Sequence, residues 1–151
     1  MFARIVVGVN QASTAALAAE RALQLGELTG GEVHLVCALG GPARGEPLSA
    51  MVPGAALVGG TPPVDGPGQG DPRLHAEHFL DRLIRSSTAR ARRHVLPGDP
   101  AEVILQVATE VAADLIVVGS KGMQGARRVL GSVPNTISHR ADCSVLIVQT
   151  T

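Results

Sequence analysis

The chain is 151 residues long, which suits a single domain, 1–151, with one sizeable core. Hydrophobic residues make up 45% of it and charged residues 17%, a balance typical of compact globular proteins and not of disordered ones. The formal net charge is zero and aromatic residues make up 1%, so neither bulk electrostatic attraction nor base stacking favours nucleic acid as a partner.

The start of the chain and its two cysteines indicate a cytoplasmic protein. The first residues lead directly into an apolar strand, with no signal peptide and no apolar span of about 18 residues. Cys37 and Cys143 lie in separate apolar runs and form neither a disulfide framework nor a metal cluster. We expect two buried, reduced thiols and no membrane partner.

The first predicted elements are a strand, a helix and a second strand. Residues 5–9 form an apolar run, and a stripe of alanine and leucine at helical spacing follows from Ser13 to a stop near Gly30. Residues 33–38 form the second apolar run. Both runs lack polar alternation, which is typical of strands buried on both faces of a parallel sheet.

Residues 39–73 differ in composition from the rest of the chain. They hold nine of the 18 glycines and seven of the ten prolines. This composition argues against a helix or a strand over most of the stretch. A loop of this length is either functional, as a lid or a contact surface, or disordered. We expect a mobile loop from the composition.

The alternation of helices and strands resumes after residue 73. A helix is predicted at 74–89, a weaker strand at 92–96, and a helix from Asp99, an N-cap acid followed by proline. Apolar runs at 115–118 and 145–148 predict two more strands buried on both faces, with a helix at about 132–139 between them. This alternation predicts an α/β fold, a doubly wound parallel sheet with helices on both faces. We expect five strands in the order 3-2-1-4-5.

A glycine-rich loop after the fourth strand is the strongest functional signal. In doubly wound sheets ligands bind beyond the carboxyl ends of the strands, where the winding reverses, which here means Asn10 and Gly119. From Val118 the chain passes through four glycines and enters a helix near Ser132. Glycines let the backbone approach a ligand closely, and the start of a helix offers N–H groups to an anion.

The side chains of this loop suit a phosphate group. Lys121, Arg127 and Arg128 offer positive charge, and Ser132 offers a hydroxyl. No Gly-Lys-Ser/Thr ends the loop, so it is not a Walker A loop. The alternative is an ordinary connection between a strand and a helix with solvated basic residues, because a glycine-rich loop by itself is a weak signal.

Several stretches together resemble the universal stress protein family: residues 5–9, 97–100, the loop, and 141–148. The likeness covers nearly the whole chain except 39–73. ATP-binding members of the family carry Gly-x2-Gly-x9-Gly-Ser/Thr in this loop. Gly119 and Gly122 match the first pair, and Gly131 with Ser132 the last, but only eight residues separate Gly122 from Gly131.

The resemblance implies a fold of the adenine nucleotide alpha-hydrolase type that binds ATP, with Mg²⁺ as a companion of the nucleotide. It places phosphates on the loop and adenosine on Asn10 and the backbone of Ala38. Asn10 stands where the family usually has aspartate. Its amide oxygen still accepts a hydrogen bond. The alternative to a role in binding is that Asn10 is only a residue of the turn between the first strand and the first helix. The predicted site comprises Asn10, Ala38, Val118, Gly119, Ser120, Lys121, Gly122, Gly131, Ser132 and Val133.

The resemblance also implies a stress-response regulator and a homodimer. An apolar edge strand is a pairing liability, so we expect the last strand to pair with a second subunit through Val145, Leu146, Ile147 and Val148. Two alternatives remain open: a member of the family that binds cyclic AMP, and a nucleotide-free dimeric interaction module.

No set of catalytic residues is evident, and we expect at most very slow ATP hydrolysis. Ser13 and Ser120 lack histidine and acid partners in sequence for a triad. His75 and His78 are three residues apart with no further ligand nearby, which favours a surface pair over a zinc site.

Overall fold

The computed structural model describes residues 1–10, 13–40, 70–120 and 133–150. Within these ranges strands and helices alternate along the chain. In order they are β1 (Arg4–Gly8), α1 (Ser13–Thr29), β2 (Glu32–Gly40), α2 (Pro72–Arg85), β3 (Arg90–Gly98), α3 (Pro100–Glu110), β4 (Leu115–Gly119), α4 (Val133–Arg140) and β5 (Ser144–Val148).

The five strands form a parallel sheet in the order β3-β2-β1-β4-β5, which confirms the predicted topology. β1 lies in the centre, where Val6 pairs with His34 of β2 and with Ile116 of β4. The chain first winds outward through β2 and β3, then returns to the other side for β4 and β5. The carboxyl ends of β1 and β4 therefore lie side by side at the point where the winding reverses.

Helices cover both faces of the sheet, because successive side chains of each strand point to opposite faces. On one face Val7 and Leu80 belong to a cluster that joins α1 and α2 to the strands. On the other face Val6 packs in a cluster with Ile104 of α3 and Ile137 of α4. Burying one such side chain contributes roughly 1.5–3 kcal/mol relative to leaving it exposed.

Aspartate caps determine where two helices begin. Asp99 accepts a hydrogen bond from the backbone N–H of Glu102 at 3.3 Å, and α3 starts with proline, as predicted. Asp71 caps α2 in a similar way by accepting from the N–H of Arg73 at 2.9 Å. The predicted start of this helix at residue 74 is therefore wrong, because the Asp71 cap lets it begin at Pro72.

The predicted end of the same helix at residue 89 is also wrong, since α2 ends at Arg85. Ser87 Oγ donates to Glu27 Oε1 at 2.6 Å, and the N–H of Thr88 donates to the same oxygen at 2.8 Å. These bonds to α1 keep the chain from continuing along the helix axis. The hydrogen bonds to Ser87 and Thr88 also hold the pKa of the Glu27 carboxyl below its usual value.

The predicted loop at 39–73 is too long at both ends. Leu39 and Gly40 still pair with Pro97 and Gly98, so β2 and β3 run in register over nine residue pairs. β3 accordingly spans 90–98, not 92–96. Residues 41–69 lie outside the described residues, so the mobile loop stays a prediction. The bounds of β1, β4, α4 and β5 agree with prediction to within one residue.

Burial near the end of the chain departs from expectation at one cysteine. Leu146 and Ile147 of β5, the edge strand, are 39% and 37% exposed in the single chain, so their expected cover by a second subunit stays a prediction. Cys37 is buried, but Cys143 is half-buried, since it lies in the turn before β5. Both cysteines are free thiols. No helix in the described part of the chain is long and apolar enough to cross a membrane.

Candidate functional site

A cleft opens at the carboxyl edge of the sheet, beside the ends of β1 and β4. It receives residues from the ends of three strands, from the first turns of α3 and α4, and from the segment after β5. The lining residues are Gly8, Val9, Asn10, Val36, Ala38, Pro100, Ile104, Val118, Gly119, Val133, Pro134 and Thr150.

The floor of the cleft is formed by the ends of β1 and β2. The N–H of Val9 donates to the carbonyl of Val36 at 2.8 Å, which continues the pairing one residue beyond β1. This hydrogen bond brings exposed Asn10 to the rim of the cleft. Ala38, two residues after Val36 on the same face of β2, also lines the cleft.

One wall of the cleft is the first part of α3. Pro100 and Ile104 stand one turn apart on the same side of this helix, and both line the cleft. A Cβ placed on Gly8 would collide with Cδ1 of Ile104. The side chain of Ile104 thus lies directly against the backbone at the end of β1, and a larger residue at position 8 would require it to shift.

The other wall is the end of β4 together with the segment that follows β5. The N–H of Ser120 donates to the carbonyl of Val148 at 2.7 Å. The N–H of Thr150 in turn donates to Ser120 Oγ at 3.0 Å. Thr150 is a buried polar residue, with 7% of its surface exposed, and it borders Gly119.

The glycine-rich segment begins and ends at this cleft. Gly119, the last residue of β4, and Val133, the first residue of α4, both line it. Residues 121–132 between them lie outside the described residues. The segment therefore leaves from one wall of the cleft and returns to its border.

The chain matches the model of the universal stress protein family over residues 1–149. It belongs to the universal stress protein family. Universal stress protein Rv1636 of Mycobacterium tuberculosis is 39% identical over 72 residues, which cover 47% of this chain and 49% of that protein. Stress response protein NhaX of Bacillus subtilis is 41% identical over 68 residues, covering 44% and 41%. The matches thus span less than half of each relative.

Solved structures of universal stress proteins share this fold. A universal stress protein in complex with cAMP superposes with a TM-score of 0.71 at 24% identity, covering 99% of this chain and 98% of that one. The universal stress protein from Archaeoglobus fulgidus in complex with dAMP gives 0.60 at 23% identity, covering 97% and 98%. At these identities the likeness establishes the fold.

In this universal stress protein, half of the predicted site residues line the cleft. Those residues are Asn10, Ala38, Val118, Gly119 and Val133. Ser120 lies next to them, with its hydroxyl oxygen engaged by the N–H of Thr150. The remaining four, Lys121, Gly122, Gly131 and Ser132, lie outside the described residues, as do Arg127 and Arg128.

Sequence reasoning missed the contributions of α3 and of Thr150. The signal for Pro100 was present, since a helix that begins directly after a parallel strand starts at the same edge of the sheet. The signal for Thr150 was weaker. Because Gly119 pairs with Val148, the residue two positions later stands beside the start of the loop. Only the register of two strands reveals that neighbour.

None of the twelve described lining residues carries a formal charge. The described part of the cleft therefore offers apolar side chains, backbone groups and the polar side chains of Asn10 and Thr150. Such a surface suits a flat, largely apolar ring that carries a few hydrogen-bonding atoms. Positive charge for a phosphate would have to come from loop residues such as Lys121.

Cys37 is a described titratable residue close to the cleft. Cys37 lies between Val36 and Ala38 on β2 but belongs to the cluster on the opposite face. Burial raises the pKa of its thiol, which keeps it protonated and a poor nucleophile. His75 and His78 are exposed on α2, which confirms the predicted surface pair. Among the described residues, no group of three or more His, Cys, Asp or Glu could hold a metal ion.

Proposed function

We propose that this universal stress protein binds an adenine nucleotide, ATP, in the cleft and acts as a stress-response regulator instead of a fast enzyme. The observation that carries the proposal is the meeting of Asn10, Ala38 and Gly119 at one cleft, although they stand far apart in sequence. This cleft lies where the winding of the sheet reverses, which is the usual ligand site of doubly wound folds.

The adenosine end of the proposed site is the part between β1, β2 and α3. Val36 and Ala38 offer a small apolar surface, and Ile104 faces them from α3. The backbone of Ala38 and the amide of Asn10 are suited to hydrogen bonds with the base and the sugar. Adenine, a flat ring with polar atoms on its edge, matches this combination.

The phosphate end of the proposed site is the segment from Gly119 to Val133. Its glycines at 122 and 131, the hydroxyl of Ser132 and the first N–H groups of α4 can surround an anion. Lys121 with Arg127 and Arg128 would balance the charge of phosphates, with Mg²⁺ as an additional counter-ion for ATP. The described walls are uncharged, so the affinity for phosphate should depend almost entirely on this segment.

The solved relatives support an adenine nucleotide as the ligand, since one was crystallised with cAMP and another with dAMP. Cyclic AMP is therefore the second candidate. A single cyclic phosphate needs fewer contacts than a triphosphate, which agrees with a loop one residue shorter than the ATP-binding pattern. The uncharged Asn10 at the rim is compatible with either nucleotide.

The described residues support a binding role over rapid catalysis. The lining residues provide no carboxylate, histidine or thiolate that could act as an acid or a base. Any hydrolysis of bound ATP should therefore be slow. We further propose that the protein works in the cytoplasm, where the free thiols Cys37 and Cys143 would stay reduced.

We also propose that the regulator is a homodimer joined through β5. The two edges of the sheet differ in character: β3 carries Arg90, Arg92 and Arg93, whereas β5 exposes Leu146 and Ile147. Charged side chains discourage pairing of an edge strand, and exposed apolar ones favour it. A second copy of β5 would satisfy the outer backbone groups of this strand and cover both apolar side chains.

The test is to identify any nucleotide released when the freshly purified, undialysed protein is denatured, followed by thermal melts with added ATP or cyclic AMP. ATP release, and a midpoint raised more by ATP than by cyclic AMP, would support the proposal, since a ligand of the native state raises the midpoint. Release of cyclic AMP, and a midpoint raised more by cyclic AMP than by ATP, would instead support second-messenger binding. A protein that releases no nucleotide, and whose midpoint changes with neither nucleotide at millimolar concentration, would instead support the nucleotide-free interaction module.

Three variants locate the binding site in this test. Gly122→Val should abolish binding through the loop, and Ala38→Leu should weaken it by filling the adenosine end of the cleft. Ala3→Leu, an equal change at an exposed position outside the cleft, should bind like the wild type. Equal binding by all three variants would show that the nucleotide binds elsewhere.

A further inference from the structure

The residue that follows β5 by two positions occupies a place in the cleft that sequence patterns do not mark. We infer that Thr150 is a positioning residue of the nucleotide cleft, which fills the space beside Gly119 and fastens the start of the glycine-rich loop. This inference rests on the proposed nucleotide binding. Gly119, the first glycine of the loop, would then be required because Thr150 lies beside it and not because a phosphate does.

The contact between Thr150 and Gly119 is close. A Cβ placed on Gly119 would lie 2.9 Å from Cγ2 of Thr150, 3.3 Å from its Oγ1 and 3.7 Å from its Cβ. The first distance is shorter than side chains normally tolerate, and the last is an ordinary van der Waals contact. A side chain at position 119 would therefore press against Thr150, on its methyl group first and on its hydroxyl second.

Two hydrogen bonds hold the backbone around this contact. The N–H of Ser120 donates to the carbonyl of Val148 at 2.7 Å, and the N–H of Thr150 donates to Ser120 Oγ at 3.0 Å. Ser120 is thus held on both sides by the segment that ends β5. These two bonds hold the backbone and the hydroxyl of Ser120 at the end of β4.

Thr150 faces the cleft and not the solvent. Only 7% of its surface is exposed, and it lines the cleft together with Gly119 and Val118. Threonine is mostly exposed in folded proteins, so a buried threonine at this place indicates packing of its side chain. Its burial shows that the segment packs against the start of the loop.

Two explanations of Gly119 now make opposite predictions. If glycine is needed so that the nucleotide can approach the backbone, any side chain at position 119 should block binding whatever residue stands at 150. If glycine is needed because Thr150 occupies the space, removal of the Thr150 side chain should make alanine acceptable. The two residues would then be coupled, as residues in direct contact usually are.

The experiment is a double-mutant cycle of Gly119→Ala and Thr150→Ala, with the affinity for ATP measured by titration calorimetry and the thermal midpoint measured without nucleotide. The obstacle at 119 is the end of a side chain, so Gly119→Ala should fold. We expect it to weaken ATP binding by about tenfold or more, since overpacking displaces the loop. In the double variant, affinity should return to within about threefold of Thr150→Ala alone.

Three further variants separate positioning from general stability. Gly8→Ala should not be rescued by Thr150→Ala, because the side chain in its way is Ile104. Thr150→Ser keeps the hydroxyl and removes the methyl group, so it should partly restore binding in Gly119→Ala. Ser120→Ala removes the acceptor for the Thr150 N–H and should weaken ATP binding with a smaller change in thermal midpoint.

The outcomes distinguish this inference from the proposed function. A double variant that recovers its thermal midpoint but still fails to bind ATP would overturn the inference, because Gly119 would then serve the nucleotide directly. A wild-type protein that binds neither ATP nor cyclic AMP would refute the proposed function and the role of Thr150 in binding. The melts without nucleotide would then still decide whether Gly119 and Thr150 are coupled in packing.

Discussion

His34 Nδ1 lies 2.9 Å from His94 Nε2, so the two imidazoles share one hydrogen bond between neighbouring strands. One ring must donate and the other accept, which requires at least one neutral ring. The pair lies on the face of the sheet that α3 covers, two residues before Val36 of the cleft floor. No local sequence pattern marks either histidine, because they stand far apart in the chain.

Charged groups surround this histidine pair. His34 Nε2 lies 2.9 Å from Glu32 Oε1 but makes no hydrogen bond among the described residues, and the two form an ion pair only when His34 is protonated. Burial is the main cause that lowers the pKa of His34, and the charge of His94 is the second. Glu32 raises this pKa, whereas Arg92 and Arg4 lower it further. Burial is also the main cause that lowers the pKa of His94, and Arg92 lowers it further.

The remaining influences on His94 raise its pKa: Glu110 at the end of α3 first, and Glu32 after it. Neither offsets the effect of burial, so both histidines have a pKa below the ordinary 6.5. Below pH 6.5 these two histidines therefore bind more protons in the unfolded chain than in the folded one. The free energy of unfolding should fall as the pH drops from 6.5 toward the lowered pKa values.

We predict that His34→Asn makes the stability of the protein less dependent on pH between 7 and 5. Asparagine can still hydrogen-bond to His94 but does not titrate. The measurement is urea denaturation at several pH values, with exposed His78→Gln as the control. Wild type and control should lose stability more steeply than His34→Asn. Equal slopes for all three proteins would contradict a role of the histidine pair.

Asp114 joins β4 to the start of β1. Its carboxylate accepts the N–H of Ala3 at 2.7 Å and the N–H of Arg4 at 3.1 Å. We expect Asp114→Ala to lower the free energy of unfolding by about 1–3 kcal/mol, because two hydrogen bonds to a charged acceptor are lost. Asp114→Asn should cost less, since one oxygen remains to accept. Urea denaturation measures the free energy of unfolding of both variants, and Asp142→Ala, at an exposed position, is the control. A loss of stability in Asp114→Ala equal to that of the control would show that the two hydrogen bonds do not stabilise the fold.

Leu146 tests the proposed dimer. A charged side chain on the exposed face of an edge strand opposes pairing, so Leu146→Arg should convert dimers into monomers in sedimentation at micromolar concentration. Leu74→Arg, on α2, changes a comparably exposed leucine (47% against 39%) and should leave the dimer intact. A wild-type protein that sediments as a monomer, or a Leu146→Arg variant that stays dimeric, would exclude pairing through β5.

Asn10 tests the proposed adenosine end of the cleft. We expect Asn10→Ala to weaken ATP binding by about five- to tenfold, the cost of one hydrogen bond of roughly 1 kcal/mol. Asn10→Asp keeps an acceptor oxygen and should bind within about threefold of the wild type. Titration calorimetry measures both, with Gln24→Ala on α1 as an amide control outside the cleft. Unchanged affinity in Asn10→Ala would make Asn10 a turn residue only.

Local patterns predicted most of the fold, because the signals that determine each element lie within a few residues. Four apolar runs marked β1, β2, β4 and β5, and the Asp99 cap with its proline marked the start of α3. The errors at the ends of α2 have the same explanation. Its end is determined by hydrogen bonds of Ser87 and Thr88 to Glu27, about sixty residues away in sequence.

The candidate site was only partly visible in the sequence. Gly119 could be identified from the loop that it begins, and Asn10 from its place after the first strand. Ile104 looked like an ordinary core residue of a helix, and nothing marked Thr150. Both reach the cleft through packing across strands, since Ile104 covers the end of β1 and Thr150 stands beside β4.

The sequence by itself determined the alternation of strands and helices, because hydrophobic periodicity, capping residues and glycine placement act locally, and its motifs identified the family. Only the tertiary structure decided which side chains share a space. The contact of Thr150 with Gly119, the hydrogen bond between His34 and His94 and the exposure of Leu146 all follow from strand register and edge position. These bring together residues that no local pattern relates.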